Sequence, residues 1–346
     1  MIGQHNSVLS LITLGLAATL AALAGCAPAT TPEVTETPVP PPPSSTPEVT
    51  QTPLPLPPPT LEVLDFRTFL PPAPLGFGKL AHHLLFFSNR SGTYELYQID
   101  LDGLNLVQLT QNSARDMQPA WSVDGKIAFT STHVNGWWEV FVVYPDSPTP
   151  VQITRFEADS WSLAWSPDGQ YLAFVSDVTG DEEIFLVTPD GGVPVNLTQR
   201  PDANDFLPVW SPTGQQIAFV SDREGEDDVF LMAPDGSAVT RLTDSEGMDT
   251  SPNWSPDGRR IAFVTERDGN FEIYLMNADG SDPVRLTNHP AYEWSPAWSP
   301  DGQWIAFTST RDHGETYELY VMAPDGSNPT RVTSDPANDI IPRWWP

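Results

Sequence analysis

One pattern recurs at a nearly constant step through residues 84–346, and that recurrence restricts the chain to a small set of folds. Its clearest marker is Trp-Ser-Pro-Asp-Gly. The marker first reads Trp121-Ser122-Val123-Asp124-Gly125. It returns at Trp165, Trp210 (with Thr213 in place of Asp), Trp254 and Trp298, at steps of 44, 45, 44 and 44 residues. A further 46 residues on, Pro342-Arg343-Trp344 begins a sixth copy that stops at Pro346. The rest of that copy lies at the other end of the pattern, from Leu84. A repeat split in this way predicts a closed ring, because joining the two parts gives one complete unit.

Each unit reads as four short strands. In the copy around Trp254, Ser251–Ser255 is a first strand and Pro256-Asp257-Gly258 a tight hairpin. Proline presets φ there, and glycine tolerates a positive φ. Ile261–Thr265 is a second strand, Glu272–Met276 a third and Val284–Thr287 a shorter fourth, with turn residues between them. Three further markers recur in all six copies. One is a second-strand Phe (Phe86, Phe129, Phe174, Phe219, Phe263, Phe307). Another is an acid opening the third strand (Glu95, Glu139, Glu183, Asp228, Glu272, Glu318). The last is a fourth strand ending in Thr (Thr110, Thr154, Thr198, Thr243, Thr287, Thr333). The expected fold is all-β: a six-bladed β-propeller of four-stranded blades, with the C-terminal strand completing the N-terminal blade. Closure of this kind removes the exposed sheet ends that an open stack would carry.

Trp254-Ser255-Pro256-Asp257-Gly258, Ile217–Asp222 (Ile-Ala-Phe-Val-Ser-Asp), Glu272–Met276 (Glu-Ile-Tyr-Leu-Met) and Arg285-Leu286-Thr287 together resemble the TolB-type propeller repeat, a bacterial relative of the WD-repeat propeller. The resemblance extends over residues 84–346. It implies a six-bladed propeller outside the cytoplasm, used for protein contacts. TolB itself is soluble and carries an N-terminal α/β domain. This chain has a Pro-rich segment and a lipoprotein-like start in its place.

That start is a short apolar run, Val8–Ala24, ending in Leu23-Ala24-Gly25-Cys26. Its length suits a signal segment. The tetrapeptide resembles a bacterial lipobox, which implies diacylglyceryl attachment to Cys26 and cleavage before it. Cys26 is the single cysteine of the chain, so no internal disulfide competes for its thiol. Residues 27–60 are dominated by Pro, Thr, Ser, Val and Glu and carry no apolar periodicity. They read as an extended linker rising roughly 3.1 Å per residue. The expected organisation is a signal peptide over 1–25, the lipidated cysteine and linker over 26–75, and the propeller over 76–346. Residues 61–75 are apolar enough to pack onto the propeller, and the sequence leaves open whether they do. The chain ends inside the closing strand, so no peptidase domain of the kind found behind some propellers is expected to follow.

Forty-five acidic residues against 16 basic ones give a formal charge of −29. Such a surface repels nucleic acid and favours a basic partner. The sharpest pattern among the acids is a set five or six residues ahead of each marker Trp: Asp116, Asp159, Asp205, Asp249, Glu293 and Asp339. In a propeller these positions open the innermost strands, at one mouth of the central channel. Two readings are open. The ring receives a divalent cation or a basic peptide segment at the channel mouth, or each acid accepts hydrogen bonds inside its own blade. No other cofactor is called for, and no residue is assigned as a metal ligand.

The marker Trp residues read as packing between blades. Trp161 and Trp294 precede innermost strands, near the loops entering the channel, and are better placed for a ligand, with partial burial between blades an equally open reading. The Asp-Gly pairs at Asp102, Asp190, Asp235, Asp279 and Asp325 read as hairpin turns, since they lack the alternating oxygen ligands of a calcium loop. His82 and His83 are neighbours on a strand and point to opposite faces, so they do not share a metal. No nucleophile–base motif and no phosphate loop is present, so no catalytic residue is expected. The reading is a non-catalytic, lipid-anchored extracytoplasmic scaffold, periplasmic or at the cell surface, that binds a protein partner. The alternative is a carbohydrate-binding or carbohydrate-active propeller, lyase- or glycosidase-like, using the acidic channel mouth.

Overall fold

The computed structural model describes residues 83–345 apart from 135, 146, 313 and 315. The signal peptide, Cys26, the Pro/Thr-rich linker, residues 61–75 and the boundary at residue 76 lie outside the described residues. Within them the chain forms six four-stranded antiparallel sheets. Blade 1 joins β24 (Asp339–Trp344) to β1 (His83–Ser88), β2 (Glu95–Asp100) and β3 (Val107–Gln108). Blade 2 is β4 (Asp116–Trp121), β5 (Ile127–Ser131), β6 (Glu139–Tyr144) and β7 (Ser147–Gln152). Blade 3 is β8 (Ser160–Trp165), β9 (Leu172–Ser176), β10 (Glu183–Val187) and β11 (Val195–Asn196). Blade 4 is β12 (Asp205–Trp210), β13 (Ile217–Ser221), β14 (Asp228–Met232) and β15 (Thr240–Arg241). Blade 5 is β16 (Asp249–Trp254), β17 (Arg260–Thr265), β18 (Glu272–Asn277) and β19 (Val284–Arg285). Blade 6 is β20 (Glu293–Trp298), β21 (Ile305–Ser309), β22 (Glu318–Met322) and β23 (Thr330–Arg331).

The predicted closure is present: β24 pairs with β1, placing Trp344 opposite Leu84 and Asp339 opposite Ser88. The same backbone bond then links every blade to the next. The N–H of the residue opening each innermost strand donates to the carbonyl just before the third strand of the preceding blade. The six bonds are Asp116 to Tyr94, Ser160 to Trp138, Asp205 to Glu182, Asp249 to Asp227, Glu293 to Phe271 and Asp339 to Tyr317, at 2.6–3.1 Å. The joint between blades 6 and 1 is therefore built like the other five, and the ring has no distinct seam at that level.

The core lies between blades. Ala128, Val140 and Val142 of blade 2 pack against Leu163, Trp165, Leu172 and Phe174 of blade 3. The second-strand Phe is fully buried in all six blades. Each sits beside the aromatic opposite it on the third strand, as Phe219 does with Phe230 at a centroid distance of 5.7 Å. The marker Trp residues fill the same seams, as expected. Trp165 Nε1 donates to Ala120 O at 3.1 Å and Trp344 Nε1 to Ala297 O at 2.7 Å, both across a blade boundary.

Two boundaries differ from the sequence reading. The fourth strands of five blades are two residues long, ending before the recurrent Thr. The cause is in blade 5, where the Ile273 N–H bonds to the Thr287 hydroxyl at 2.8 Å, so a side chain replaces the next rung of the ladder. In five blades the innermost strand starts at the acid, which in blade 5 is two residues ahead of the Ser251 start read from the sequence, and in blade 3 it starts at Ser160. Each then carries a bulge at a residue with positive φ: Gln118, Ser162, Leu207, Ser251, Ser295 and Ile341, all between 50° and 57°. A bulge of this kind turns the following residues relative to the channel axis.

Candidate functional site

Five of the six acids singled out by the sequence open an innermost strand and are fully buried: Asp116, Asp205, Asp249, Glu293 and Asp339. Four of them face an arginine of their own blade. Arg90 Nη2 donates to Asp339 at 2.6 Å, Arg223 Nη2 to Asp205 at 2.7 Å, Arg311 Nη2 to Glu293 at 2.9 Å, and Arg267 Nη2 to Asp249 at 3.3 Å. The arginine enters from the loop after the second strand. It hydrogen-bonds the last Ser or Thr of that strand through Nε and lies over the paired aromatic rings. Arg223 is 5.2 Å from the Phe219 centroid and 5.1 Å from that of Phe230. Charge, hydroxyl and ring face thus enclose one guanidinium.

Blades 2 and 3 break the pattern. His133 and Val178 stand where the other blades have arginine. In blade 2, Asp116 accepts from Asn112 Nδ2 at 2.7 Å. In blade 3 the strand opens on Ser160, whose hydroxyl meets Ser176 at 3.2 Å. Asp159 sits one residue earlier, half-buried, and accepts the Trp138 N–H at 2.9 Å. The acid ring is therefore five carboxylates and a serine, with Asp159 displaced. Burial pushes the carboxyls of Asp116, Asp159 and Asp339 above their ordinary range, and that of Glu293 up to about 7 despite Arg311 beside it.

The third-strand acids form a second set. In each blade the recurrent Thr hydroxyl accepts the backbone N–H of the residue after the acid, as at Leu96, Val140, Ile184, Val229, Ile273 and Leu319. In blades 1–4 and 6 the same hydroxyl donates to the acid. Blades 4, 5 and 6 add a fourth-strand arginine: Arg241 to Asp228, Arg285 to Glu272 and Arg331 to Glu318. These bonds explain why the sequence repeats an acid and a Thr at these two places. Four acids of the ring are thus bonded to an arginine of their own blade, and Asp159 to the Trp138 N–H of the preceding blade. Among the described residues no group of three or more His, Cys, Asp or Glu side chains is arranged to hold a metal ion.

A family model described as the TolB beta propeller domain matches residues 83–250 and 243–346. The chain belongs to the TolB beta propeller family. The structure is similar to that of a putative TolB from Agrobacterium tumefaciens, with a TM-score of 0.60 and 25% identity over 77% of this chain and 91% of that one. TolB from Acinetobacter baumannii shares the fold at a TM-score of 0.67 and 24% identity, over 76% of this chain and 66% of that one. A curated relative, the Tol-Pal system protein TolB of Desulfosudis oleivorans, is 37% identical over 60 residues. That match spans 17% of this chain and 14% of the relative.

In this TolB-type propeller the remaining candidates separate clearly. Trp161 lies within β8 and is 2% exposed, so it is a core residue. Trp294 lies within β20 with its ring 4.5 Å from that of Phe271. Neither precedes its strand as the sequence suggested, because β8 begins at Ser160 and β20 at Glu293. The Asp-Gly pairs are turns: Asp235 accepts the Ser237 N–H at 3.0 Å and Gly236 has φ +82°. His83 contacts Asp100 across the β1–β2 pair, and His82 lies outside the described residues.

The innermost strands enclose a central cavity of about 190 Å³. Its wall is drawn from the bulge-to-Trp stretches of the innermost strands, including Ser162, Ser251, Ser295, Asn253 and Arg343. Sequence reasoning missed the arginines. The signal was present as Ser88-Asn89-Arg90, Ser221-Asp222-Arg223, Thr265-Glu266-Arg267 and Ser309-Thr310-Arg311. Arg343 was in view only as part of the marker.

Proposed function

We propose that this chain is a non-catalytic scaffold of the cell envelope, held outside the cytoplasm by lipid on Cys26 and binding a protein partner through loops on one face of the ring. The observation that carries this reading is the fate of the recurrent polar residues. The acids, arginines and threonines repeated from blade to blade are bonded to one another, which leaves the exposed loops as the variable surface. Trp137, 42% exposed, and Tyr292, 49% exposed, stand on loops adjoining the acid-bearing ends of the innermost strands. Family membership supports the envelope setting, and the name of the Desulfosudis relative supports a protein-binding role. A charge of −29 favours a basic partner.

Two measurements test the reading on the full-length chain in a bacterial host. Metabolic labelling with an alkyne fatty acid should mark the wild type and leave Cys26→Ser unmarked and in the aqueous phase of a detergent partition. Equal labelling of both removes the anchor. A photo-crosslinking residue at position 137 or 292 should give a discrete protein adduct, and the identified partner should bind the purified chain more weakly as salt rises. Glycan binding or turnover with no protein adduct at either position overturns the scaffold reading.

A further inference from the structure

At one position on the innermost strands a single blade carries a charge where the others carry none. The residues just before the marker Trp are Ala120, Ala164, Val209, Asn253, Ala297 and Arg343. Five of them are neutral and one is a guanidinium. Arg343 lies on β24, half-buried, in the wall of the central cavity. It differs from Arg90, Arg223, Arg267 and Arg311, each of which has a carboxylate within reach. Among the described residues Arg343 makes one hydrogen bond, from Nη1 to the carbonyl of its neighbour Pro342 at 3.2 Å. A guanidinium has five N–H donors, so most of its capacity is unused.

Among the described residues no counter-charge is at hand. The two levels of the wall nearest Arg343 are the bulge residues and the residues before the marker Trp, and neither contains a carboxylate. The acids opening the innermost strands lie four residues away, roughly 13 Å along a strand, and are bonded within their blades. Burial alone lowers the Arg343 pKa, to about 10, with no carboxylate opposing it. The group remains cationic at neutral pH. A cation held in a cavity without a partner is costly unless an anion joins it.

We infer that the central channel binds a small carboxylate-bearing ligand, its carboxylate gripped by the Arg343 guanidinium. The planar fork of arginine matches a carboxylate with two parallel hydrogen bonds. Asn253 occupies the same level of the channel, two blades away. Its Oδ1 accepts the Trp298 N–H at 2.8 Å, which leaves its amide N–H groups as donors. Ser162, Ser251 and Ser295 supply hydroxyls one level toward the acidic end. The rest of the wall is largely Pro, Leu, Val, Ala and Trp. One fixed positive charge among neutral donors suits a monoanionic group with a short apolar body better than a doubly charged phosphate. A volume of about 190 Å³ limits the ligand to a few carbons beyond the carboxylate. This inference does not depend on the protein-binding role proposed above, because it concerns the channel wall rather than the loops.

Calorimetric titration of the full-length chain in low-chloride buffer at pH 7, with acetate, butyrate and inorganic phosphate as separate probes, tests the site. The wild type should bind a carboxylate at one site per chain. Arg343→Gln should weaken that binding by about tenfold or more, Arg343→Lys by less, and Asn253→Ala by a few-fold. Thermal unfolding gives a second readout. Without ligand, R343Q should melt at or above the wild-type temperature, since a half-buried unpaired charge is gone, and added carboxylate should no longer raise it. The proposal is overturned if no carboxylate binds the wild type below about 10 mM. It is also overturned if R343Q binds as well as the wild type, or if phosphate binds more tightly than the carboxylates.

Discussion

Arg223 places Nη2 2.7 Å from Oδ1 of Asp205, with side-chain exposures of 8% and 0%, and the two residues are 18 apart in the sequence. The pair joins the loop after the second strand of blade 4 to the start of its innermost strand. Removing one member leaves the other buried and charged. Arg223→Ala should therefore cost about 3–5 kcal/mol of stability by urea unfolding. The double variant Arg223→Met, Asp205→Leu should recover most of that loss, because the charge and its partner leave together. A loss in the double variant equal to that in the single one shows that packing, rather than charge, accounts for it.

Thr333 accepts the Leu319 N–H at 2.9 Å and donates to Glu318 Oε2 at 2.6 Å while 3% exposed. Thr333→Val keeps the shape and removes both bonds, so it should destabilise the protein by about 2 kcal/mol. Thr333→Ser keeps the hydroxyl and should cost less than half as much. A larger loss for Ser than for Val places the effect in the methyl group.

The turn glycines differ in what surrounds them. Gly326 has φ +83°, and a Cβ there would lie 2.3 Å from the carbonyl oxygen of Leu286 in the preceding blade. Gly269 has φ +93° with nothing within 4 Å. Gly269→Ala should cost about 1 kcal/mol, the conformational penalty alone. Gly326→Ala should cost clearly more, because blade 6 must move away from blade 5. Thermal midpoints of the two variants give the comparison.

Asp227 is pushed up to about 6, first by burial and then by Asp222, Asp228 and Glu226 nearby. The ordinary value is 3.8, so the folded chain holds a proton there through a window in which the unfolded chain has released it. Stability from this group is present below pH 3.8 and is lost as pH rises through about 6. Asp227→Asn should therefore be more stable than the wild type at pH 8, by about 1–2 kcal/mol, and indistinguishable at pH 4. Glu293, raised to about 7, adds a loss in the same direction between its ordinary 4.5 and 7. The wild-type urea midpoint should accordingly fall from pH 5 to pH 8, and a midpoint that rises over this interval contradicts the burial of these groups.

The repeat itself was legible in the sequence. A marker Trp every 44–46 residues, a buried Phe per blade and turn residues at fixed offsets determine six four-stranded sheets. The split sixth copy determines that β24 pairs with β1. These features are local or periodic: turn chemistry acts over four residues, and strand alternation has a period of two. Only the tertiary structure decided what the acids do. The direction of four of the carboxylates depends on a bulge at a residue with positive φ two positions later and on an arginine from the loop after the second strand, which for Asp339 is Arg90, 249 residues away in sequence. The acids were found by their spacing, but their spacing carries no record of those partners. Arg343 shows the converse. Its sequence position is an ordinary one in the marker, and only closure of the ring places its charge in the channel with no carboxylate beside it.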